Sequence, residues 1–146
     1  VDPAFNPWDR IKGTPDESFH VQRGPGGTAV IGAAVASALD AYTTRPVTRL
    51  AGANRFATAE AITRTFWTKA STAYVASGVN FPDALAGGAV AGMQGLPMLL
   101  SGKSDATLFT GQEVLRLSAR RLNMMGGTVA LTSAVETRLK RLVASP

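Results

Sequence analysis

From residue 46 onward, short apolar runs of strand length alternate with longer segments whose apolar residues follow helical spacing. The runs VTRL (47–50), TAYVAS (72–77) and PMLLS (97–101) predict strands, whereas helices are predicted over 55–67, 82–94, 111–122 and from residue 133. Consecutive strands that are joined by helices pair in parallel, and such a sheet needs helices on both faces. The sequence therefore predicts an α/β fold, a three-layer sandwich with a mainly parallel sheet flanked by helices.

Two of the predicted helices have clear start signals. Asn54 precedes the first helix as an N-cap, and Ser133 with Glu136 forms the Ser-x-x-Glu capping pattern of the last. The apolar positions that share one helix face are Phe56, Ala59, Ile62 and Phe66 in the first, Val114, Leu115, Leu117 and Leu122 in the third, and Val135, Leu139 and Leu142 in the last. These faces are predicted to cover the sheet.

The helix predicted over 82–94 has an unusual glycine content. Gly87, Gly88 and Gly92 stand in its interior, where each glycine costs about 1 kcal/mol relative to alanine. Ala84, Gly88 and Gly92 are spaced by four and so share one side of the helix. We therefore expect a neighbouring backbone to approach closely on that side.

An internal repeat relates two segments that lie one hundred positions apart. GGTAVIGAAVASAL (26–39) aligns without gaps on GGTVALTSAVETRL (126–139), so that Val35 corresponds to Val135. A period of this length indicates a domain-sized tandem module rather than a short solenoid repeat. The predicted parts are an N-terminal arm or linker over 1–25, the tail of a preceding module over 26–45, and a module over 46–146.

The composition excludes several kinds of site. The 146 residues contain no cysteine, so the chain has no disulfide, no thiolate metal ligand and no thiol nucleophile. Fifteen basic and ten acidic residues give a net charge of +5, which favours anionic partners. The apolar run from Ala84 to Leu100 is interrupted by Gln94, Gly95 and Pro97. It therefore predicts a helix, a turn and a strand, and no membrane insertion is expected.

Basic residues are concentrated in the last two predicted helices. They are Arg116, Arg120, Arg121, Arg138, Lys140 and Arg141. A charged helix face is most often solvated, and we expect these side chains to form such faces.

Four blocks of the sequence occur in an order and spacing typical of a known family. They are RLAGANRFATAEAI (49–62), YVASGVNFPDALAGGAVAG (74–92), PMLLSG (97–102) and GGTVALTSAVETRL (126–139). The pattern Arg-x-x-Gly-x-x-Arg-x-x-Thr from Arg49, followed by Phe-x-Asp-Ala-Leu from Phe81, is specific in combination. In these blocks the chain resembles the cell wall binding repeat 2 family, with a full repeat over 46–142 and a partial one over 26–45.

The resemblance implies a compact α/β sandwich and a non-catalytic function. Members of the family are secreted or surface proteins of Gram-positive bacteria whose tandem repeats hold them non-covalently on anionic wall polymers. The implied partner is thus an anionic cell-wall polymer, with no cofactor. Because members commonly carry three copies, a chain with one full copy is expected to form a homotrimer; the alternative is a monomer in which residues 1–45 fold back over the glycine-rich helix. The family usually has a hydrophobic strand before the Gly-Gly pair, whereas RRLNMMGG (120–127) leaves only Asn123 to Met125 for it.

A ligand-binding site is predicted near the carboxyl ends of the strands, formed by Arg49, Arg55, Ser77, Asn80, Asp83 and Ser101. Ser77 and Ser101 follow two predicted strands, at the edge where open α/β sheets bind ligands, although both can equally be turn residues. Arg49 and Arg55 flank a glycine-containing loop before a helix, which suits a phosphate or a carboxylate. An internal ion pair with Asp83 is the alternative. Asp83, in a first helical turn, and Asn80, at an N-cap, can also be purely structural.

Other functions fit the sequence less well. GPGGTAVIGAAV (24–35) suggests a nucleotide-binding α/β enzyme, but Pro25 interrupts the glycine pattern. Hydrolysis by a metal or a Ser-His-Asp triad needs clustered residues, and the one histidine, His20, has no predicted acid or nucleophile beside it. Nucleic-acid binding is not expected, because the chain has no recognition motif and few aromatic stacking platforms. A surface structural or partner-binding module without polymer affinity stays open as the alternative to wall binding.

Overall fold

The computed structural model describes residues 20–23 and 31–144 of the chain. Its elements follow the order β1 (His20–Arg23), α1 (Ala33–Asp40), β2 (Thr48–Ala51), α2 (Arg55–Phe66), β3 (Thr72–Ser77), α3 (Phe81–Met93), β4 (Met98–Ser101), α4 (Leu108–Arg116), β5 (Arg121–Met124) and α5 (Ser133–Ala144). From β2 onward the strands and helices alternate in the order predicted from the sequence, with β5 as the one strand that was not predicted.

All described strands pair in parallel, but they form two sheets. β1 pairs with β2, and the larger sheet has the order β4-β3-β5 with β3 in its centre. In the larger sheet Val75 lies between Leu99 of β4 and Met124 of β5, and Ser77 pairs with Ser101. The predicted α/β sandwich with a mainly parallel sheet is confirmed.

One face of the three-stranded sheet carries the main hydrophobic core. Val75 of β3 and Leu99 of β4 point to this face, which α4 and α5 cover. Val135 and Leu139 are buried against the sheet and Leu142 packs on the same cluster, so the predicted apolar face of the last helix is confirmed. Each fully buried side chain of this size contributes about 1.5–3 kcal/mol relative to exposure, which makes this layer the principal source of stability.

The opposite face of the sheet is covered by α3. Tyr74, whose side chain points away from the main core, donates a 2.9 Å hydrogen bond from its hydroxyl to Oε1 of Gln94 at the end of the helix. At Gly87 the helix lies so close to its neighbours that a Cβ would stand 2.7 Å from Cγ of Met125 and 3.0 Å from Cε of Met98. The close approach expected from the glycine content is therefore present at Gly87.

The other two glycines of α3 face open space. A Cβ at Gly88 or Gly92 would meet no atom within 4 Å, so the expected neighbour on that side of the helix is not found among the described residues. Phe81 and Leu85 are exposed and precede these glycines at helical spacing. We call the stripe of Phe81, Leu85, Gly88 and Gly92 the outer face of α3.

The predicted end of the third helix, at Leu122, is wrong. α4 stops at Arg116, and Ser118 adopts a left-handed conformation with a φ of 55°. The amide of Ala119 then donates a 3.1 Å hydrogen bond to the carbonyl of Val114, which closes the helix end without a glycine or a proline. The sequence therefore lacked the usual stop signal.

The residues after this turn form a strand. Leu122, predicted in the helix, belongs to β5 and pairs with Ala73 of β3. The strand before the Gly-Gly pair thus spans Arg121–Met124, and the expectation that only Asn123 to Met125 were left for it is wrong. Pairing with β3 decides the outcome, because it satisfies the backbone of β5 and places Leu122 against the core.

The first long helix has the predicted cap but a different buried face. Oδ1 of Asn54 accepts hydrogen bonds from the amides of Phe56 and Ala57, both at 3.0 Å, which confirms the N-cap. The buried residues of α2 are Thr58, Ala59 and Thr63, whereas Phe66 at the predicted apolar face is exposed. The two threonines can be buried because each donates its hydroxyl to the carbonyl four residues earlier.

The internal repeat is visible in the positions of two helices, since α1 begins one hundred residues before α5. Their surroundings differ, because Val135 is fully buried whereas Val35 is 52% exposed and Tyr42 is 85% exposed. α1 therefore has the apolar pattern of α5, but among the described residues no sheet buries it. β1 falls in the segment predicted as an arm or linker, and the rest of residues 1–25, with part of 26–45, lies outside the described residues.

Candidate functional site

Ser77 and Ser101 end the two neighbouring strands β3 and β4, where they are register partners. Both side chains are buried. Oγ of Ser77 accepts hydrogen bonds from the amides of Val79 and Asn80, each at 3.2 Å, and Oγ of Ser101 donates to the carbonyl of Gly102 at 3.2 Å. These hydroxyls fix the turns at the carboxyl edge of the sheet, and that edge is the floor of the candidate site.

Arg55 lies at the same edge, at the first position of α2. Its Nη1 donates a 2.6 Å hydrogen bond to the carbonyl of Gly78, and the amide of Gly78 donates a 2.8 Å bond to the carbonyl of Ser101. The structure therefore brings Arg55, Ser77 and Ser101 together. The residue Arg55 is exposed, and it makes no ion pair with Asp83. The guanidinium of Arg55 is therefore held by the carbonyl of Gly78 and not by an ion pair with Asp83.

Asp83 and Asn80 belong to the start of α3 at this edge. The carboxylate of Asp83 lies against Gly126, in the loop after β5, where a Cβ at residue 126 would overlap Oδ2. Gly126 has a φ of 93°, a conformation that residues with a side chain rarely adopt. Asn80 occupies the N-cap position as predicted, but its side chain makes no capping hydrogen bond; Ser77 instead accepts from the amides of Val79 and Asn80, just before the helix.

Arg49 is placed differently from the other predicted site residues. It lies on β2, in the two-stranded sheet, and its Nη1 donates a 2.8 Å hydrogen bond to the carbonyl of Ile31. This bond holds the segment before α1. The structure gives Arg49 no bond to the residues around Gly78, so the described geometry ties it to α1 rather than to Arg55.

Glycines follow the strands of this edge and let neighbouring segments approach. A Cβ at Gly52 would overlap the backbone of Ala57, and one at Gly78 would overlap the ring of Phe56. A Cβ at Gly102 would lie 2.7 Å from the carbonyl oxygen of Asp105. The sequence analysis did not place Phe56 or Gly126 at this edge. The signal that could have indicated them is the glycine that follows each of the strands β2 to β5 within two residues.

The basic residues of the predicted helices differ in their surroundings. Arg116 is not on a solvated face, because it forms a forked pair with the buried carboxylate of Glu113, with N–O distances of 2.7–3.0 Å, and donates to the carbonyl of Trp67 at 2.9 Å. Arg64 also contacts Glu113, at 3.0 Å. The hydrogen bond to Glu113 raises the pKa of Arg116 above its ordinary value, against the smaller opposing effect of burial.

Two further basic side chains are exposed and paired. Arg138 contacts Asp105 at 2.6 Å, and Lys140 contacts Glu136 at 2.6 Å. Both side chains are exposed to solvent, as expected for a solvated helix face. Each, however, forms an ion pair with a carboxylate. Arg120 and Arg121 are exposed but stand in a turn and a strand, not in a helix.

Two kinds of feature are absent from the described ranges, residues 20–23 and 31–144. These ranges contain no group of three or more potential metal ligands among histidine, aspartate and glutamate side chains. None of the helices in those ranges has the length and apolar character needed to cross a membrane.

The sequence matches the model of a known domain family, Cell wall binding domain 2, over residues 49–136. The matched region begins at Arg49 and includes all of the predicted site residues. It also includes β3, β4 and β5 and reaches the first turn of α5.

Similar proteins are known in two Gram-positive bacteria. Over 96 residues the chain is 27% identical to the N-acetylmuramoyl-L-alanine amidase LytC of Bacillus subtilis (strain 168), covering 66% of this chain and 19% of that protein. Its fold resembles Cwp8 from Clostridium difficile, with a TM-score of 0.66, 25% identity and coverage of 80% of this chain and 21% of that one. Cwp6 from Clostridium difficile gives a TM-score of 0.64, 28% identity and coverage of 69% and 16%. The chain thus spans about a fifth of the length of these proteins.

Proposed function

Because the chain belongs to the Cell wall binding domain 2 family, we propose that it is a non-catalytic module that holds a secreted or surface protein of a Gram-positive bacterium on anionic wall polymers. The observation that carries the proposal is the extent of the family match, which includes the whole three-stranded sheet and helices from both of its faces. The wall or cell surface is accordingly its place of action. The net charge of +5 supports an anionic ligand.

The amidase name of the Bacillus subtilis relative fits this location, since N-acetylmuramoyl-L-alanine is a constituent of the wall. This chain covers 19% of that protein, and we assign it the binding role rather than the hydrolysis. In the proposed organisation, residues 46–146 form the binding module and residues 26–45 are the tail of a preceding one. The exposed Val35 on α1 supports this division, because its counterpart Val135 is buried in the core of the module.

The proposed ligand contacts lie at the carboxyl edge of the sheet. Arg55 supplies a cation for a phosphate or carboxylate, since its one described bond, to Gly78, leaves other guanidinium donors available. Asn80 and the partly exposed carboxylate of Asp83 are suited to hydroxyl groups of sugar or polyol units. Ser77 and Ser101 act from beneath by holding the turns, and Arg49 by holding the segment at Ile31.

Wall sedimentation tests this function. The chain is mixed with purified Gram-positive walls before and after extraction of their anionic polymers, and the bound fraction and released wall fragments are measured. We expect binding to intact walls, weaker binding to extracted walls, and no fragment release. Equal binding to both preparations would leave a wall-associated module without polymer affinity, and release of fragments would contradict the non-catalytic assignment.

Self-association is a further part of the proposal, with a second copy of this chain against the outer face of α3. Leu85 on this face is 72% exposed, and the open Gly88 and Gly92 would allow a second backbone to approach closely. We propose a homotrimer, in which repeated weak polymer contacts strengthen one another by raising effective concentration.

Light scattering coupled to size-exclusion chromatography measures the mass of the assembly. The variant Leu85→Glu should be monomeric, whereas the control Leu108→Glu, at a residue 68% exposed at the start of α4, should keep the wild-type mass. A monomeric wild type across micromolar concentrations would rule out the assembly. It would leave the wall-binding assignment intact.

A further inference from the structure

Three cationic residues lie together at the amino edge of the three-stranded sheet, opposite the candidate site. Lys69 belongs to the segment just before β3, and Arg120 and Arg121 stand at the start of β5. The two segments are joined by backbone hydrogen bonds, because the amides of Arg120 and Arg121 both donate to the carbonyl of Ser71, at 2.8 and 3.0 Å. All three residues are exposed. We call them the amino-edge cluster.

The side chains of this cluster make no hydrogen bond or ion pair with the part of the chain that the structure describes. Most other basic side chains in residues 31–144 are engaged. Arg64, Arg116, Arg138 and Lys140 contact carboxylates, and Arg49 and Arg55 donate to backbone carbonyls. Lys103 is the one basic residue outside the cluster that has no such partner in that range. Unpaired positive charge is therefore concentrated at the amino edge.

The surroundings of the cluster do not neutralise it. The segments 67–72 and 117–124 contain no acidic residue. Glu113 approaches this end of the fold through Arg116, which bonds to the carbonyl of Trp67, but its carboxylate is already held by Arg116 and Arg64. A single-sign surface of this kind attracts polyanions at long range.

We infer that the amino-edge cluster is a second contact surface for the wall polymer, one that binds the phosphate or carboxylate groups of a linear polyanion. This inference rests on the proposed function and adds to it a surface distinct from Arg55. The two guanidinium groups can each take an anion through two parallel hydrogen bonds, and Lys69 adds a compact charge. Their side chains need to break no existing bond in order to do so.

The two surfaces lie at opposite ends of the same strands. β3 has six residues, so the carboxyl and amino edges are about 20 Å apart at roughly 3.3 Å per residue. A polymer that reaches both edges, or two chains that bind one each, would be held more tightly than by either edge alone, because linked contacts raise the effective concentration. Because the two edges are farther apart than the distance over which substitutions interact directly, the effects of variants at the two edges on stability and local contacts should be close to additive.

Two triple variants with equal loss of charge test the inference. The first replaces Lys69, Arg120 and Arg121 with glutamine, and the control replaces Lys103, Arg138 and Lys140 with glutamine. Both are compared with wild type in sedimentation with purified Gram-positive walls and in titrations with inorganic polyphosphate over a series of salt concentrations. Circular dichroism should be unchanged in the first variant, because the replaced side chains make no hydrogen bond or ion pair with the described chain.

We expect the first variant to lose tenfold or more in polyphosphate affinity at low salt and to bind walls less than the control variant does. Its plot of log affinity against log salt should be shallower by roughly 2, at about 0.7 per lost cation for a flexible polyanion. Equal losses in both variants, or none in the first, would overturn the inference while wild-type wall binding still supports the proposed function. Failure of the wild type to bind walls would overturn both.

An anionic membrane surface is the alternative ligand for the amino-edge cluster. Vesicles of phosphatidylglycerol distinguish the two, because a membrane surface would bind the wild type in the absence of any wall polymer. Loss of vesicle binding in the first variant, with wall and polyphosphate binding unchanged, would assign the cluster to lipid and overturn the inference.

Discussion

Nη1 of Arg55 lies 2.6 Å from the carbonyl oxygen of Gly78, and this bond joins the start of α2 to the end of β3. The carbonyl belongs to a residue whose own amide is bound to Ser101, so one guanidinium is connected to two strand ends. The same side chain is exposed and is proposed to meet the ligand. Its structural and binding roles are therefore separable by substitution.

Replacing Arg55 should weaken wall binding more than it weakens folding. Arg55→Ala removes one hydrogen bond at an exposed site, so we expect a loss of about 1 kcal/mol in the free energy of unfolding. Arg55→Lys keeps the positive charge but loses the planar guanidinium, which can form two parallel hydrogen bonds to one anion. It should therefore retain a part of the binding that Arg55→Ala loses. Lys140→Ala, an equal loss of charge on α5, serves as the control, and wall sedimentation with urea unfolding gives both quantities. Unfolding of Arg55→Ala at room temperature would mean that its role is chiefly structural.

Gly126 should tolerate alanine far less well than its neighbour does. A Cβ at Gly126 would overlap Oδ2 of Asp83, and the φ of 93° is strained for any residue with a side chain. We expect Gly126→Ala to lose about 2 kcal/mol or more in stability. A Cβ at Gly127 meets nothing within 4 Å, so Gly127→Ala should change stability by no more than about 0.5 kcal/mol. Similar urea midpoints for the two variants would contradict the described contact between Asp83 and Gly126.

The two adjacent glycines of α3 should respond differently to alanine. Gly88→Ala should stabilise the monomer by up to about 1 kcal/mol, because alanine is the better helix former and the site is open. Gly87→Ala should stabilise less or destabilise, since its Cβ would force Met125 and Met98 to move. Thermal unfolding of dilute protein measures the difference. A loss of stability in Gly88→Ala would indicate that its side of the helix is already covered.

Arg116 should be essential for stability because it neutralises a buried carboxylate. Arg116→Ala leaves Glu113 with Arg64 as its cationic contact and removes the bond to Trp67. Breaking a buried pair costs about 3–5 kcal/mol, and the partial exposure of Arg116 places the expected loss at the lower end of that range. Arg116→Lys should recover a part of it, and Glu113→Gln in the Arg116→Ala background should recover more. No recovery in the double variant would argue against an uncompensated charge as the cause.

The pH dependence of this pair follows from the sign of the Arg116 shift. Its pKa is raised, so its contribution is fully present below the pKa of arginine in the unfolded chain and is lost only as pH rises through the still higher folded value. Stability should therefore show no decline from loss of this charge between neutral and moderately alkaline pH. Urea unfolding of wild type and Arg116→Lys across that interval should give a constant difference.

The sequence located the edge of the sheet that carries the candidate site, since Ser77, Ser101 and Arg55 lie together as predicted. It could not tell that both hydroxyls are buried and already bonded, because burial depends on the packing of α2 and α3 above the strands. The sequence also did not predict the position of Arg49. That side chain is held by Ile31, eighteen residues earlier in the chain, and no local pattern specifies such a bond.

What the sequence alone determined were features whose causes lie within a few residues. Asn54 caps α2 through amides two and three residues away, and the apolar positions of α5 follow from its own spacing. Tertiary structure decided the end of α4, because the chain after Ser118 gains a place beside β3 that the helical pattern up to Leu122 did not reveal. Tertiary structure also made the two adjacent glycines of α3 different. Gly87 faces Met98 and Met125, whereas Gly88 faces open space. Contacts between segments that are distant in the chain fix both outcomes, and these contacts exist only once the sheet and its helices have assembled.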